Sequence, residues 1–519
     1  MTHNIHLEYN VFCYAGPPWL PIAGCLPYIA WKCREKNQTV NVTFTSLAKE
    51  YATQILGIKV GKDRLIVLCS YEAAREVLSR EEFDGRPTGV FFDTRTWGIR
   101  RGVIVVDGPL WHEQRRFILR HLKDFGFARR SMEDFVQKEV TELIKYFMKS
   151  TKGEQNQLTR TPSGGAVSVT VESMDADEMS KKNDGSLVWL HDAFGVSVLN
   201  TIWSMMAGVR YDPEDSELRE LQAILSSLFV FISASGCAFS HFPLLRYIAP
   251  GASGYNQFIG VHQRIWKFIH REIGKHKETY QSGKIRDLMD VYLAQMEEDE
   301  REGKENTYFD DDQLVAICMD LFMAGSETTA KSLAFLFLYI TTHPEVQKKL
   351  HAEIDAVTGG DRMPTLEDRS RMPYTEAVIL EGLRLFASKT FGLAHRALSD
   401  AWLQGHFIPK DTMILINYES FLCDKEKWTD PEEFRPERFV DASGKVNIPS
   451  YYLPFGLGKR RCMGESMAKS NIFLFMTGLL QEYQFSIPEG EAITAQEKLI
   501  TSGITPGVLP YRARIKIRR

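Results

Sequence analysis

The sequence predicts a mainly α protein with a small β-rich component, on three observations. Asp310 to Tyr339 is the longest strongly helical run in the chain. A second apolar helical pattern, Glu465-Ser-Met-Ala-Lys-Ser-Asn-Ile-Phe-Leu-Phe, lies near the C-terminus. Against these, residues 40–75 mix β-branched and aromatic residues with turns, notably Gln54 to Val60 and Arg64 to Cys69, and read as a hairpin.

The whole chain sets bounds on function. With 519 residues and a formal net charge of −4, it has room for a large core and no global pull toward nucleic acid, so an electrostatic partner has to be met by a local patch. Its eight cysteines are scattered without a Cys-x-x-Cys pair. That argues against a clustered zinc site or a disulfide scaffold and suits a reducing compartment. No secretory signal is apparent, and Pro17, Pro18, Pro21 and Pro27 interrupt the only apolar stretch before residue 35, so no spanning helix is expected there.

In order along the chain, Tyr71 to Arg80 reads as a short helix and residues 86–106 as a long irregular segment with Gly89, Gly98 and Gly102. Gly108-Pro-Leu-Trp111 opens a helix with proline in its first turn, and Trp111 and Arg115, four apart, share one face. Arg116, Arg120 and Lys123 make a basic stripe on another face, which alone is a solvated surface. Residues 150–186 are polar and turn-rich and read as a long surface insertion. Leu221 to Leu245 carries no charged residue, but Ser226, Ser227, Ser233, Ser235, Gly236 and Pro243 break it. Two shorter helical pieces and a loop are expected, roofing an apolar pocket and dipping into a bilayer surface.

Inside the long helix lies Ala324-Gly-Ser-Glu327-Thr328-Thr329. A mid-helix glycine costs ~1 kcal/mol relative to alanine, so Gly325 predicts a close approach to the backbone. Thr328 can bond back to the carbonyl of residue 324, bending or opening the helix. After Thr341-Thr-His-Pro344 an amphipathic helix runs to about Val357, and Glu376 to Leu385 carries Glu381 and Arg384 on one helix face. Residues 401–417 alternate like a hairpin.

The chemistry concentrates in Phe455-Gly-Leu-Gly-Lys-Arg-Arg-Cys462-Met-Gly464. It sets one cysteine just before a helix N-terminus, where the helix dipole and nearby arginines favour a thiolate. Gly456, Gly458 and Gly464 let backbone N–H groups close on the sulfur, and Phe455 can shield it from water. With its spacing Phe-x-x-Gly-x-Arg-x-Cys-x-Gly, this loop resembles the haem-binding loop of the cytochrome P450 family, the haem-thiolate monooxygenases, in which the cysteine is the proximal iron ligand. The resemblance runs from about residue 16 to the end through five ordered motifs: Trp111-x-x-x-Arg115, Ala324-Gly-x-Glu-Thr328, Glu381-x-x-Arg384, Pro436-Glu-Arg-Phe and the cysteine loop. The stretch His121 to Arg129 is similar to insect members of the family's second clan.

The resemblance implies a P450 fold over residues 36–519: one mainly α domain with a small β-rich lobe, haem lying between the long central helix and the cysteine helix. Residues 1–35 would be an N-terminal segment in which Gly16-Pro-Pro-Trp-Leu-Pro-Ile-Ala-Gly24 resembles the proline-rich hinge of microsomal members, without the anchor expected before it. It implies Cys462 as the iron ligand, with Trp111, Arg115, His395, Arg396, Phe455 and Arg460 as the other haem-contacting residues. Thr328, Glu327 and Gly325 would serve oxygen activation, and Glu381, Arg384 and Arg438 a buried structural cluster. Arg116, Arg120 and Lys123 would dock an NADPH-dependent flavoprotein reductase. The function implied is insertion of one oxygen atom from O2 into a small lipophilic substrate at the cytosolic face of the endoplasmic reticulum, in insect hormone metabolism or breakdown of xenobiotics. Ala387, Thr390 and Ala394 stand where members often carry prolines, so pocket shape near Lys389 to Leu393 does not transfer. A haem-thiolate isomerase or dehydratase, a haem sensor and a structural Cys/His metal protein are the competing readings. Intact Gly325, Glu327 and Thr328, the basic stripe and the scattered cysteines weigh against them in turn.

Overall fold

The structure is a computed structural model describing residues 14–124, 130–151, 186–213, 215–232, 236–305, 307–500 and 503–518. Most of the polar insertion expected at 150–186, residues 1–13 of the N-terminal segment and residues 125–129 of the insect-like stretch lie outside the described residues. Among those described, twelve helices of ten residues or more form in chain order: α1 (Leu26–Glu35), α2 (Val40–Glu50), α3 (Gly108–Asp124), α4 (Arg130–Thr151), α5 (Gly195–Ala207), α6 (Ser216–Phe231), α7 (Tyr255–Thr279), α8 (Leu288–Arg301), α9 (Asp311–Thr342), α10 (Pro344–Thr358), α11 (Pro373–Ser388) and α12 (Glu465–Glu482).

The centre is α9. Asp310 caps it by accepting a bond from the Gln313 N–H at 2.6 Å. Its flanking turns, Leu314 to Phe322 and Ser332 to Thr341, are almost wholly buried, because α5, α7, α11 and α12 pack around it. A helix apolar on all sides belongs in a core. Side chains from α3 to α12 join in one large hydrophobic core.

The β lobe is a four-stranded sheet in the order β1 (Ile55–Val60), β2 (Asp63–Leu68), β4 (Met413–Ile416), β3 (His395–Arg396). β2 and β4 pair in parallel, the other neighbours antiparallel. Along β2, Ile66 and Leu68 enter one apolar cluster and Leu65 and Val67 another. The period-two alternation thus feeds cores on both faces, and the strand reads as a continuous apolar run.

Two sequence expectations are corrected here. Residues 40–50 are not part of the hairpin. They form α2, because burying Phe44, Leu47 and Ala48 on one helical face outweighs the strand preference of Val40, Val42, Thr43 and Thr45. The 401–417 hairpin is confined to Ala401–Leu403 and His406–Ile408, while Met413–Ile416 leaves it to join the main sheet beside β2.

The charge-free stretch from Leu221 breaks as expected, into α6 and short helices at Ala238–His241 and Leu245–Ile248. The apolar side chains expected at a surface are, however, mostly not exposed along it. Leu221, Leu225, Leu228 and Phe229 are buried, whereas Leu244, Tyr247 and Ile248 are 70%, 71% and 76% exposed. No helix among the described residues is long and apolar enough to cross a membrane.

Candidate active site

The cysteine loop is shaped by backbone geometry that favours glycine. Gly456 and Gly458 have φ of +73° and +70°. A Cβ on Gly458 would lie 1.9 Å from the Leu78 carbonyl oxygen. The Cys462 N–H donates to the Phe455 carbonyl at 3.0 Å and closes the loop. Gly464 caps α12 and points its N–H at the Cys462 sulfur.

Cys462 is exposed, while Cys25, Cys237, Cys318 and Cys423 are buried and Cys33 and Cys69 half-buried. All seven are free thiols, in keeping with the scattered spacing. Cys462 is open to solvent yet set among enough protein to desolvate its sulfur, as a recess does, and that desolvation pushes its thiol up. The Gly464 N–H, Arg115 and Arg461 oppose the rise, and Glu465 adds to it. A metal cation bound here would add the charge that favours the thiolate expected from the sequence.

Beside the loop lies a cluster of cations. The Arg460 guanidinium stacks over the buried Trp111 ring and donates to the carbonyls of Asp84 (2.7 Å) and Val106 (2.9 Å). Arg115 lies 5.6 Å from the same ring and donates to the Arg461 carbonyl at 2.7 Å. Arg86, which sequence reasoning missed, is buried and donates to the carbonyls of Ile104 (3.2 Å), Leu393 (3.2 Å) and Ala394 (2.9 Å). Burial and mutual repulsion pull Arg460 down to about 9, and burial pulls Arg86 down to about 10.

His395 is pulled down to about 3 by burial and by Arg86, and its Nδ1 meets the Phe83 carbonyl at 2.8 Å. Arg396, expected beside it as a haem contact, is spent elsewhere. It donates to the Arg86 carbonyl (2.9 Å), to Asp107 (2.8 Å) and to Asp411, bracing the β lobe.

On α9, the Thr328 hydroxyl donates to the Ala324 carbonyl at 2.7 Å, as expected, but the helix stays continuous through the site. Ser326 and Ser332 make the same bond one turn back, at 2.7 and 2.8 Å. Ala324 and Thr328, one turn apart, keep partial exposure amid buried turns, so one stripe of the helix faces open space. Gly325 turns instead toward α5, where a Cβ would lie 2.7 Å from Ile202 Cδ1. The close approach its presence predicted is a neighbouring helix. Burial raises the Glu327 carboxyl above the usual range, opposed by Lys331 and by the Ser226 hydroxyl.

The structural cluster is formed. Arg384 grips Glu381 with two bonds (2.7 and 2.9 Å) and reaches the carbonyls of Leu422 and Pro431 (2.6 and 2.7 Å), while Arg438 meets Glu381 at 3.0 Å. Both members of the Glu381–Arg384 pair are fully buried. Arg116, Arg120 and Lys123 line the exposed side of α3, opposite Trp111, Phe117 and Leu122.

The guanidiniums of Arg86, Arg115 and Arg460 bond to neutral carbonyls and repel one another, which makes them a receptor for a group bearing carboxylates. A soft sulfur ligand stands in a recess next to them, and α12, which follows Cys462, packs against α9. These residues fit a haem: Cys462 would hold its iron, and Arg86, Arg115, Arg460 and His395 its propionates. Fold and site define a haem-thiolate protein. A match to the family described as Cytochrome P450 covers residues 15–174 and 166–510, and the chain belongs to that family. It is 39% identical over 501 residues (96% of this chain, 92% of the relative) to probable cytochrome P450 303a1 of Drosophila melanogaster. It is 35% identical over 497 residues (95% and 92%) to farnesoate epoxidase of Bombyx mori. To cytochrome P450 1A1 of Felis catus it is 32% identical over 464 residues (87% and 83%). The protein is a monooxygenase of the P450 type, with haem as its cofactor.

Proposed function

We propose that the protein is an NADPH- and reductase-dependent monooxygenase that acts on a lipophilic hormone precursor or xenobiotic at the cytosolic face of the endoplasmic reticulum. The observation that carries this reading is the exposed, recessed Cys462 beside the Arg86, Arg115 and Arg460 receptor, on a loop whose helix packs against the one bearing Thr328. Haem held by Cys462 supplies the oxygen-activating redox chemistry. The chain supplies control of protons. Thr328 presents a hydroxyl on the open stripe of α9, and Glu327, with its raised carboxyl, can carry a proton inward. The half-buried Phe455, whose carbonyl accepts the Cys462 N–H, stands at the other end of the same loop and would help limit water at the sulfur.

Attachment to a membrane surface is supported by two exposed apolar groups that flank one turn. Lys62 N–H donates to the His241 carbonyl at 3.2 Å, and His241 Nδ1 meets Asp63 at 2.8 Å, which places Leu244, Tyr247 and Ile248 on one side of the β1–β2 turn. Next to the same turn Lys59 lies 3.8 Å from the Trp19 ring and its carbonyl accepts the Cys25 N–H at 2.7 Å; Trp19, Leu20 and Ile22 there are 52%, 57% and 80% exposed. Side chains of this kind sit at the headgroup boundary.

The relative named farnesoate epoxidase makes an unsaturated lipophilic acid the first substrate to try. Purified holoprotein, a flavoprotein reductase, NADPH, farnesoic acid and isotopically heavy O2 should yield a product carrying one heavy oxygen atom, with insect lipid extracts and insecticides as further substrates. A product of unchanged mass, or one lighter by a molecule of water, would overturn the reading in favour of an isomerase or dehydratase.

A further inference from the structure

Lys331 stands one turn beyond Glu327 on α9, with its side chain only 11% exposed. A lysine on a helix usually reaches solvent and is seldom buried unless paired. Here the ammonium Nζ lies 3.1 Å from Glu327 Oε2, and neither atom has a hydrogen-bond partner elsewhere. The second helix facing the pair is α6, whose Ser226 hydroxyl is turned to the Glu327 carboxylate and whose Phe229 ring lies 5.5 Å from the Lys331 Nζ. Among the described residues Lys331 is thus the charged group that faces Glu327, and α6 contributes a neutral hydroxyl and an aromatic ring. Thr328, on the open stripe of the helix with Ala324, is the next residue along from Glu327.

We infer that Lys331 is a positioning residue for oxygen insertion, which holds the Glu327 carboxylate toward α6 and sets the pH at which Glu327 carries a proton to the Thr328 side. A buried carboxyl left to itself keeps its proton, because charge is poorly solvated there. An ammonium in contact with it favours the ionised form, so Glu327 can lose its proton to the site and take another. Removing the lysine leaves the carboxyl protonated and unable to cycle. The pair bridges α9 and α6, so movement of the roof and the protonation of Glu327 are coupled. This inference rests on the role proposed above for Glu327 as proton carrier.

The test is infrared titration of the holoprotein, reading the band of the protonated Glu327 carboxyl, identified by its loss in Glu327→Gln. Lys331→Met should raise the titration midpoint by about one pH unit or more, a tenfold change in proton affinity, while Lys331→Arg leaves it near the parent value. The fraction of NADPH electrons recovered in product should shift its pH dependence in the same direction, through kcat and not KM. If Lys331→Met does not fold, Lys331→Gln, of similar length and without charge, reads the same effect. An unmoved midpoint in the uncharged variant overturns the inference, even where product formation falls, because a merely structural lysine would do that. If the midpoint moves as stated but the parent protein inserts no oxygen, the monooxygenase reading fails and the Lys331–Glu327 coupling stands.

Discussion

Arg460 lies over Trp111, its guanidinium carbon 3.7 Å from the centre of the indole ring. The contact fixes a planar cation with its edge donors committed to the Asp84 and Val106 carbonyls. Lysine can keep the charge but neither the stacking nor the fork. Arg460→Lys should therefore speed haem transfer to a scavenger protein on the order of tenfold, as for other groups that orient a bound metal centre. An unchanged transfer rate would remove Arg460 from the haem receptor.

Two glycines should respond oppositely to alanine. At Gly458 the φ of +70° and the Leu78 carbonyl at 1.9 Å leave no place for a Cβ, so Gly458→Ala should lose about 2 kcal/mol or more and weaken haem retention. Gly260 lies inside α7 with nothing within 4 Å of an added Cβ, so Gly260→Ala should gain about 0.5–1 kcal/mol. Denaturant midpoints of the two holoproteins check both signs.

Asp368 offers a pH-dependent test of the fold. Arg362 binds it in two bonds (2.5 and 2.7 Å), and Arg371 and Thr365 add others, holding its carboxyl well below the usual carboxylate range. A depressed folded-state pKa contributes stability above the unfolded value, lost as pH falls toward the folded one. Asp368→Asn should lose about 2–3 kcal/mol at neutral pH, and the gap to the parent should close progressively below about pH 4. A gap that stayed constant down to pH 2 would contradict the ion pair.

How much of this was legible in the sequence depends on the range of the interaction that decides each residue. The cysteine loop could be read because its glycines, arginine and cysteine act on one another within ten residues. The Glu381–Arg384 pair was readable for the same reason. Arg86 was not: its carbonyl partners Leu393 and Ala394 come from more than three hundred residues away, and a single arginine before Pro87 carries no local signal. The α2 helix was hidden by β-branched residues whose preference is overruled by the burial of Phe44 and Leu47. Gly325 announced a close approach, but only the fold shows that Ile202 makes it. Lys331 looked like an ordinary helix lysine until α6 covered it.

The basic stripe predicts how electrons reach the site. Reversing the charges of exposed Arg116, Arg120 and Lys123 together should slow reduction by the flavoprotein reductase severalfold. It should leave peroxide-driven turnover nearly unchanged, and the difference should shrink with added salt, since the screening length is about 10 Å at ~0.1 M. Unaltered reduction kinetics would make the stripe a solvated face of α3.

Everything above turns on the sulfur of Cys462, and the absorption spectrum of the reduced, carbon monoxide-treated holoprotein reads it most directly. The account predicts that the parent protein shows the thiolate-ligated signature and that Cys462→Ser loses it together with NADPH-driven turnover. Cys69→Ala, which alters a half-buried thiol pushed up to about 12 by burial, should keep both. A Cys462→Ser protein that retained the thiolate signature would contradict the assignment of the iron ligand and the site built around it.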